Sequence, residues 1–238
     1  MILQALSRLY EQLVLKNIVS EEGWGPAKVS YGLVIGRDGE LQQVVPLKIS
    51  QTRGKKTVLA SQMLVVPDQV KRTVGISANF LCDNAAYLLG VDGKGNPERA
   101  RKCFAAAQAL HQELLGSLES DSAQRICKFF QNWRPEQAAA HPEIAPILQD
   151  IVAGDNLVFM VDGKYAQQIG ELRDVWNEKY FSSSDVPRMQ CLVTGEVAPI
   201  AILHPSSKGC AMHSLPAHRW YHLTCLVRSH METTKGKA

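Results

Sequence analysis

At 238 residues, with 45% apolar and 21% charged side chains, the sequence suits one large or two small soluble domains, each able to bury a core. Its apolar runs, such as Leu33–Ile35 and Leu157–Val161, are far too short to span a bilayer, so no membrane association is expected. The net charge of +3 conceals a local excess: between Lys48 and Arg72 stand Lys48, Arg53, Lys55, Lys56, Lys71 and Arg72 against the single acid Asp68. A basic segment on a near-neutral body fits an anionic partner held at one place, or a solvated loop with no partner.

The opening Met1-Ile-Leu-Gln-Ala-Leu has no basic n-region and no cleavage site, so a cytoplasmic protein is expected. Leu3, Leu6, Tyr10, Leu13 and Val14 recur at helical spacing, which predicts an amphipathic helix over 2–17, broken by Gly23, Gly25 and Pro26. Val29–Ile35 alternates as a strand, Arg37-Asp38-Gly39-Glu40 supplies a hairpin turn, and Leu41–Leu47 returns. Met63–Pro67 reads as a short strand closed by proline, and 79–89 as a helix or helical turn stopped at Gly90.

Helices follow over Pro97–Leu118, with its proline in the first turn, then Ser122–Trp133, then Glu136–Val152 interrupted by Pro142 and Pro146. Asn156–Val161 is a strand running into an Asp162-Gly163 turn, and Leu172–Phe181 a helix. Ser182–Ser184 forms a link, and Cys191–Leu203 a strand-turn-strand unit around Thr194-Gly195. This order predicts an α+β fold: a small antiparallel N-terminal sheet with helices, then a mainly helical region and a short β unit. The expected regions are 1–95, 96–155, 156–209 and a distinct tail, 210–238.

No pattern rises to an enzyme. Val91-Asp92-Gly93-Lys94-Gly95-Asn96 lacks Walker spacing, and neither Gly-x-Ser-x-Gly nor His-Glu-x-x-His occurs. No catalytic residue, metal ligand or cofactor is assigned. Asp83 and Asp92 are the acids a metal-dependent nuclease would use, but capping or turn roles are favoured for both. His111, between Leu110 and Leu114, reads as a packing histidine rather than a general base, and Cys82, Cys103 and Cys127 as core thiols. The six cysteines form no Cys-x-x-Cys pair, against both a disulfide framework and structural zinc. Cys210, His213, His218, His222, Cys225 and His230 lie in a stretch with little periodicity, so metal binding there is disfavoured.

The most distinctive stretch runs Pro67-Asp-Gln-Val-Lys71-Arg72-Thr-Val-Gly75-Ile76-Ser-Ala-Asn79-Phe80-Leu81-Cys82-Asp83-Asn84-Ala-Ala-Tyr87-Leu-Leu-Gly90. It resembles the strongest motif of the large subunit of the type I-C (Dvulg subtype) CRISPR surveillance complex, Cascade. In that motif a Lys-Arg-Thr-like turn leads into Gly-Ile-x-x-Asn-Phe-Leu-x-Asp-Asn-x-x-Tyr-x-Leu-Gly. Met1–Leu6 with Tyr10-Glu11, Tyr31-Gly-Leu-Val with Asp38-Gly39, and Cys191-Leu-Val-Thr-Gly195-Glu196 with Pro199-Ile-Ala and His204-Pro205 agree in order and spacing. Cys82 stands where relatives commonly carry tryptophan, and Ser77-Ala78 where a Lys-Pro pair is usual.

The resemblance implies a non-catalytic subunit that recognises the motif flanking a double-stranded DNA target and helps open the duplex. It would work with a guide RNA ribonucleoprotein, the other Cascade subunits and a recruited helicase-nuclease. Arg53, Lys55, Lys56, Lys71 and Arg72 suit phosphate contacts. Asn79 and Asn84 offer amides that read base edges or, for Asn84 by preference, cap a helix. Gly75 gives close backbone approach or a turn. The rivals are a metal-dependent nuclease built on Asp83 or Asp92 and a structural fragment of the complex that binds no DNA.

The resemblance covers residues 1 to about 209 of a longer family pattern, which continues differently after Gly209. Codons exist for Cys210 onward whose neighbouring frame spells Val-Arg-His-Ala-Gln-Ser-Ser-Gly-Ala-Pro-Leu-Val-Ser-Phe-Asn, close to that continuation. A lost base near Gly209, and a truncating frameshift, is therefore expected. The gene's adjacent frame tests it, and its lacking such a reading defeats it.

Overall fold

The structure, a computed structural model, describes residues 2–53, 56–72, 74–93, 95–182, 187–191, 195 and 197–199. Lys55, most of the predicted Ser182–Ser184 link, and the tail with its histidines and cysteines lie outside the described residues. Contacts divide the chain into Met1–Asp185 with Leu192–Gly195, and Val186–Cys191 with Glu196–Ala238.

In the larger unit, α1 (Ile2–Leu15) forms where the apolar spacing places it. It ends because Asn17 takes a left-handed φ of 54°, allowing Ile18 N to donate to Leu13 O at 2.9 Å and Asn17 N to Val14 O at 2.8 Å. No α1 side chain is buried, and Ile2, Leu3, Leu6, Leu9, Tyr10 and Leu15 are all exposed.

The chain then enters β1 (Trp24–Ile35), the central strand. Gly23, at φ 80°, makes the expected break, but Gly25 and Pro26 do not. They lie inside β1 because Gly25 pairs with Val66 and Pro26 with Val65 of a later strand, and this tertiary pairing overrides local preference. The predicted turn carries the chain into β2 (Leu41–Pro46), antiparallel to β1. Next, β3 (Ile49–Arg53) and β4 (Lys56–Ala60) pair with each other and, among the described residues, with no other strand. The chain rejoins β1 as β5 (Gln62–Pro67).

The predicted 79–89 helix resolves differently. Residues 79–81 are irregular, β6 (Cys82–Asn84) adds a short strand, and only α2 (Ala85–Leu88) is helical. Then come α3 (Pro97–Leu115), α4 (Asp121–Asn132), 3₁₀ turns over Pro135–Ala140 and Ala145–Ile147, and α5 (Leu148–Val152). Asn96 caps α3 by accepting from Arg99 N at 3.0 Å, with Pro97 in the first turn. β7 (Asn156–Val161) lies between β1 and β6 and is followed by β8 (Lys164–Tyr165) and α6 (Gly170–Phe181). The smaller unit is described as the antiparallel pair β9 (Arg188–Gln190) and β10 (Val197–Pro199).

The architecture is thus mixed α and β, with the sheet order β2-β1-β7-β6. One pair departs from the antiparallel expectation: β7 runs parallel to β1, the helical region providing the long crossover such a pair needs. The region 156–165 therefore completes a sheet begun by residues 24–84, while helices from 97–152 pack on it.

A bulge decides which face each β1 residue serves. Val29 pairs with Asn156 and Tyr31 with Leu157, so two β1 residues oppose one of β7 and side-chain parity flips. Ala27 and Val29 accordingly pack with Val66, Cys82 and Val158 on one face. Tyr31, Leu33 and Ile35 join Phe80, Phe129, Phe130, Leu157 and Phe159 in the main core. The extra residue, Ser30, is buried and shares a 2.8 Å hydrogen bond with the Ser61 hydroxyl. Each large side chain buried in the core contributes about 2–3 kcal/mol.

Gly39 tests how closely the β1–β2 turn seats on α4. It has φ 79°, and a Cβ there would lie 2.5 Å from Phe129 N. Gly163 has φ 75° but open space around it. Gly39→Ala is expected to lose about 2 kcal/mol or more, and Gly163→Ala about 1 kcal/mol from backbone strain alone. Urea unfolding of the two variants measures the difference, and equal losses would mean that the turn does not seat on α4.

Candidate nucleic-acid interface

Residues 68–81 leave β5 and return as β6, so one sheet fixes both ends of the loop. At its outer side Lys71, Val74, Gly75, Ile76 and Ser77 are exposed, Val74 by 94%. Gly75 sits at φ 92° with nothing within 4 Å of the position a Cβ would take. That is the left-handed region, open to glycine at little cost.

Beneath the loop the polar groups converge on Asp83, whose side chain is 1% exposed. Arg72 Nη1 donates to Asp83 Oδ1 at 2.8 Å, and Nη2 donates to Oδ2. Asn79 N donates to Oδ2 and Asn84 N to Oδ1, both at 2.8 Å. The Arg72 guanidinium also lies 3.9 Å from the centroid of the Tyr87 ring, within cation–π range. Burial works against the arginine's charge, but the Asp83 hydrogen bonds and charge outweigh it, and its pKa rises.

Further contacts fix the rest of the loop. Asn79 Oδ1 accepts from Val70 N at 2.9 Å, closing residues 70–79 on themselves. Ser77 N donates to Tyr87 Oη at 3.3 Å, and Arg99 Nη2 donates to Gly75 O at 3.2 Å. Asn84 Oδ1 accepts from Ala86 N at 3.1 Å and caps α2, the role favoured for it from sequence.

Leu81 is buried with φ 59°, a left-handed conformation that costs a leucine about 1–2 kcal/mol. Its N–H donates to His111 Nε2 at 3.1 Å, while His111 Nδ1 lies 2.7 Å from Ala107 O. This pairing requires the neutral ring with its proton on Nδ1. His111 is thus a packing histidine, as the sequence suggested, and it also holds a backbone group of the loop.

Among the basic residues of this stretch whose side chains are described, Lys48 and Arg72 are engaged internally. Besides Arg72, Lys48 Nζ lies 2.9 Å from Asp155 Oδ2 and 5.0 Å above the Tyr31 ring. Lys71 is exposed on the loop. Arg53 and Lys56 are backbone partners at the end of the β3–β4 hairpin. No acidic residue occurs between Glu40 and Asp68.

The structure therefore gathers Arg72, Asn79 and Asn84 around Asp83, presents Lys71 and Gly75 outward, and carries Arg53 and Lys56 on a separate hairpin. Arg72 and Asn79, expected as DNA contacts, are engaged within the protein: the Arg72 guanidinium by the buried Asp83 carboxylate and Asn79 Oδ1 by Val70 N. Sequence reasoning missed Asp83 as the hub, and missed Tyr87, Arg99 and the reach of His111. The packing of asparagine and aspartate within 79–84 was the one available signal. Asp92, the second candidate nuclease acid, accepts from Asn96 N at 2.8 Å in the turn before α3. Among the described residues no three His, Cys, Asp or Glu side chains cluster as metal ligands would, and no helix is long and apolar enough to cross a membrane.

A family model described as CRISPR-associated protein (Cas_Csd1) matches residues 6–215, including the loop, the hairpin and the sheet that carries them. No curated protein matches the chain.

The His111 contact has a measurable pH signature. Burial pushes its pKa down from 6.5 to about 4, while the Ala107 carbonyl opposes the shift. The unfolded chain therefore binds a proton that the folded chain refuses between these values. The stabilisation is complete above pH 6.5 and falls as pH drops towards 4, by on the order of 3 kcal/mol. Urea unfolding should show this loss in the wild type and a flatter profile in His111→Gln, whereas identical profiles would contradict a neutral buried His111.

Proposed function

The chain belongs to the Cas_Csd1 family of CRISPR-associated proteins, and we propose that it serves CRISPR defence as the DNA-recognition large subunit of a type I-C Cascade complex. The observation that carries this reading is the 68–81 loop. It projects Lys71, Val74, Gly75 and Ile76 into solvent while its base is tied to a buried carboxylate. A recognition element must be exposed at its tip and fixed at its base, since ordering it upon binding would reduce affinity.

In this reading the loop meets the flank of a double-stranded target, and guide RNA pairing reads the remainder. Lys71 on the loop, Arg53 and Lys56 of the hairpin strands, and Lys55 between them in sequence supply phosphate contacts, which give affinity without sequence information. Gly75 leaves room for the backbone to approach the duplex. Arg72, Asn79 and Asn84 shape the loop from within. The subunit performs no chemistry of its own. It acts in the cytoplasm with the guide RNA ribonucleoprotein, the other Cascade subunits and a recruited helicase-nuclease. Against the nuclease alternative, the Asp83 carboxylate already accepts four N–H donors.

Counterion release makes the reading quantitative. Each phosphate contact contributes about 0.9 to the slope of log K against log salt. Lys71→Ala should flatten the slope for duplex DNA by about 1, and joint replacement of Arg53, Lys55 and Lys56 by alanine by about 3, equally for all flanking sequences. A salt titration measures both, and unchanged slopes and affinities would favour a structural subunit that does not touch DNA.

A further inference from the structure

We propose that Asp83 is a positioning residue for flank discrimination: it touches no DNA, but its carboxylate sets the one loop geometry in which the flank is read. The inference rests on the reading that the 68–81 loop meets DNA, and deepens it by separating affinity from selectivity.

The hydrogen-bond directions show how one carboxylate governs the whole loop. Its two oxygens receive donors from both ends of the segment, Arg72 on the outgoing side and the Asn79 and Asn84 backbone on the returning side. Asn79 passes the constraint on, because its own Oδ1 accepts from Val70 N. Arg72 passes it on through Tyr87, whose ring packs under the guanidinium and whose hydroxyl accepts from Ser77 N. Val70, Arg72, Ser77 and Asn79 are thereby fixed relative to one buried group, and residues 74–76 are spanned between them.

Arg72 does not act as a free phosphate ligand. Its planar fork is met by both oxygens of Asp83, and its Nε is buried without a hydrogen-bond partner. Turning the arginine out to DNA would strand a carboxylate that is 1% exposed. The guanidinium is a strut, and exchange for lysine would keep the charge while losing the two-pronged geometry.

The test compares the wild-type chain, as given by its sequence, with Asp83→Asn, Arg72→Lys and Tyr87→Phe. Binding is measured on duplex oligonucleotides identical except for the flank, across a salt series. The wild type is expected to prefer one flank. Asp83→Asn and Arg72→Lys should cut that preference about tenfold or more while leaving the salt slope unchanged. Tyr87→Phe keeps the ring under Arg72 and removes only the acceptor for Ser77 N. It remains informative if the charged-pair variants fail to fold, and is expected to lower the preference severalfold at unchanged slope. A discriminating wild type whose folded variants, Tyr87→Phe included, discriminate equally well overturns the positioning role alone. A wild type that binds all flanks alike, or binds no duplex, overturns the DNA-reading function itself.

Discussion

A carboxylate with 1% of its side chain exposed needs donors in place of the water it has lost. Asp83 meets that requirement with a bidentate arginine and two backbone N–H groups, drawn from either side of a fourteen-residue excursion between β5 and β6. The shape of the loop follows from that solvation demand. Arg72 must come inward, Asn79 must turn its N–H down, and Val74, Gly75, Ile76 and Ser77 between them lie outward. Exposure of Val74 and Ile76 on a strongly constrained base is the geometric result, and the proposed recognition role rests on it.

The sheet makes this possible. β6 is only three residues long, yet it pairs with β7, which is covered on its other edge by β1. Asp83 therefore stands on a strand whose register is set by the best-packed part of the molecule: Leu157 and Phe159 on one face, Val158 on the other. From α3, His111 reaches the same place, holding Leu81 in a conformation that leucine would not choose. Helical layer, sheet and loop are thus joined within a few residues, and a disturbance in any of them is transmitted to the exposed tip.

The sequence was most readable where local and tertiary preferences agree. Asn156–Val161 is apolar on both faces and ends at Asp162-Gly163, so its strand and turn were visible in advance, as was the Arg37–Glu40 hairpin. Asn84 reads as a cap because an Asx side chain offers an acceptor to a helix's first N–H groups, and the structure bears this out. Elsewhere the decisive term lay in distant pairing. Pro26 and Gly25 look like breakers, but β5 keeps them in a strand. Cys82–Asn84 looks helical, but β7 draws it into the sheet. The parity flip at Ser30 and the left-handed Leu81 leave no trace in composition or periodicity. For the candidate site, the motif marks the loop, but local sequence could not tell which of its polar residues face outward. That depends on where the buried carboxylate lies.

The most direct test of the central claim, a loop fixed at its base by Asp83 and open at its tip, is residue-resolved amide hydrogen exchange on the free chain. The account predicts slow exchange at Val70, Asn79 and Leu81, whose N–H groups are held by Asn79, Asp83 and His111, alongside exchange near the open-peptide rate at Val74 and Gly75. Uniformly fast exchange from Val70 to Leu81 would contradict it, because the clasp would then not hold the loop in solution.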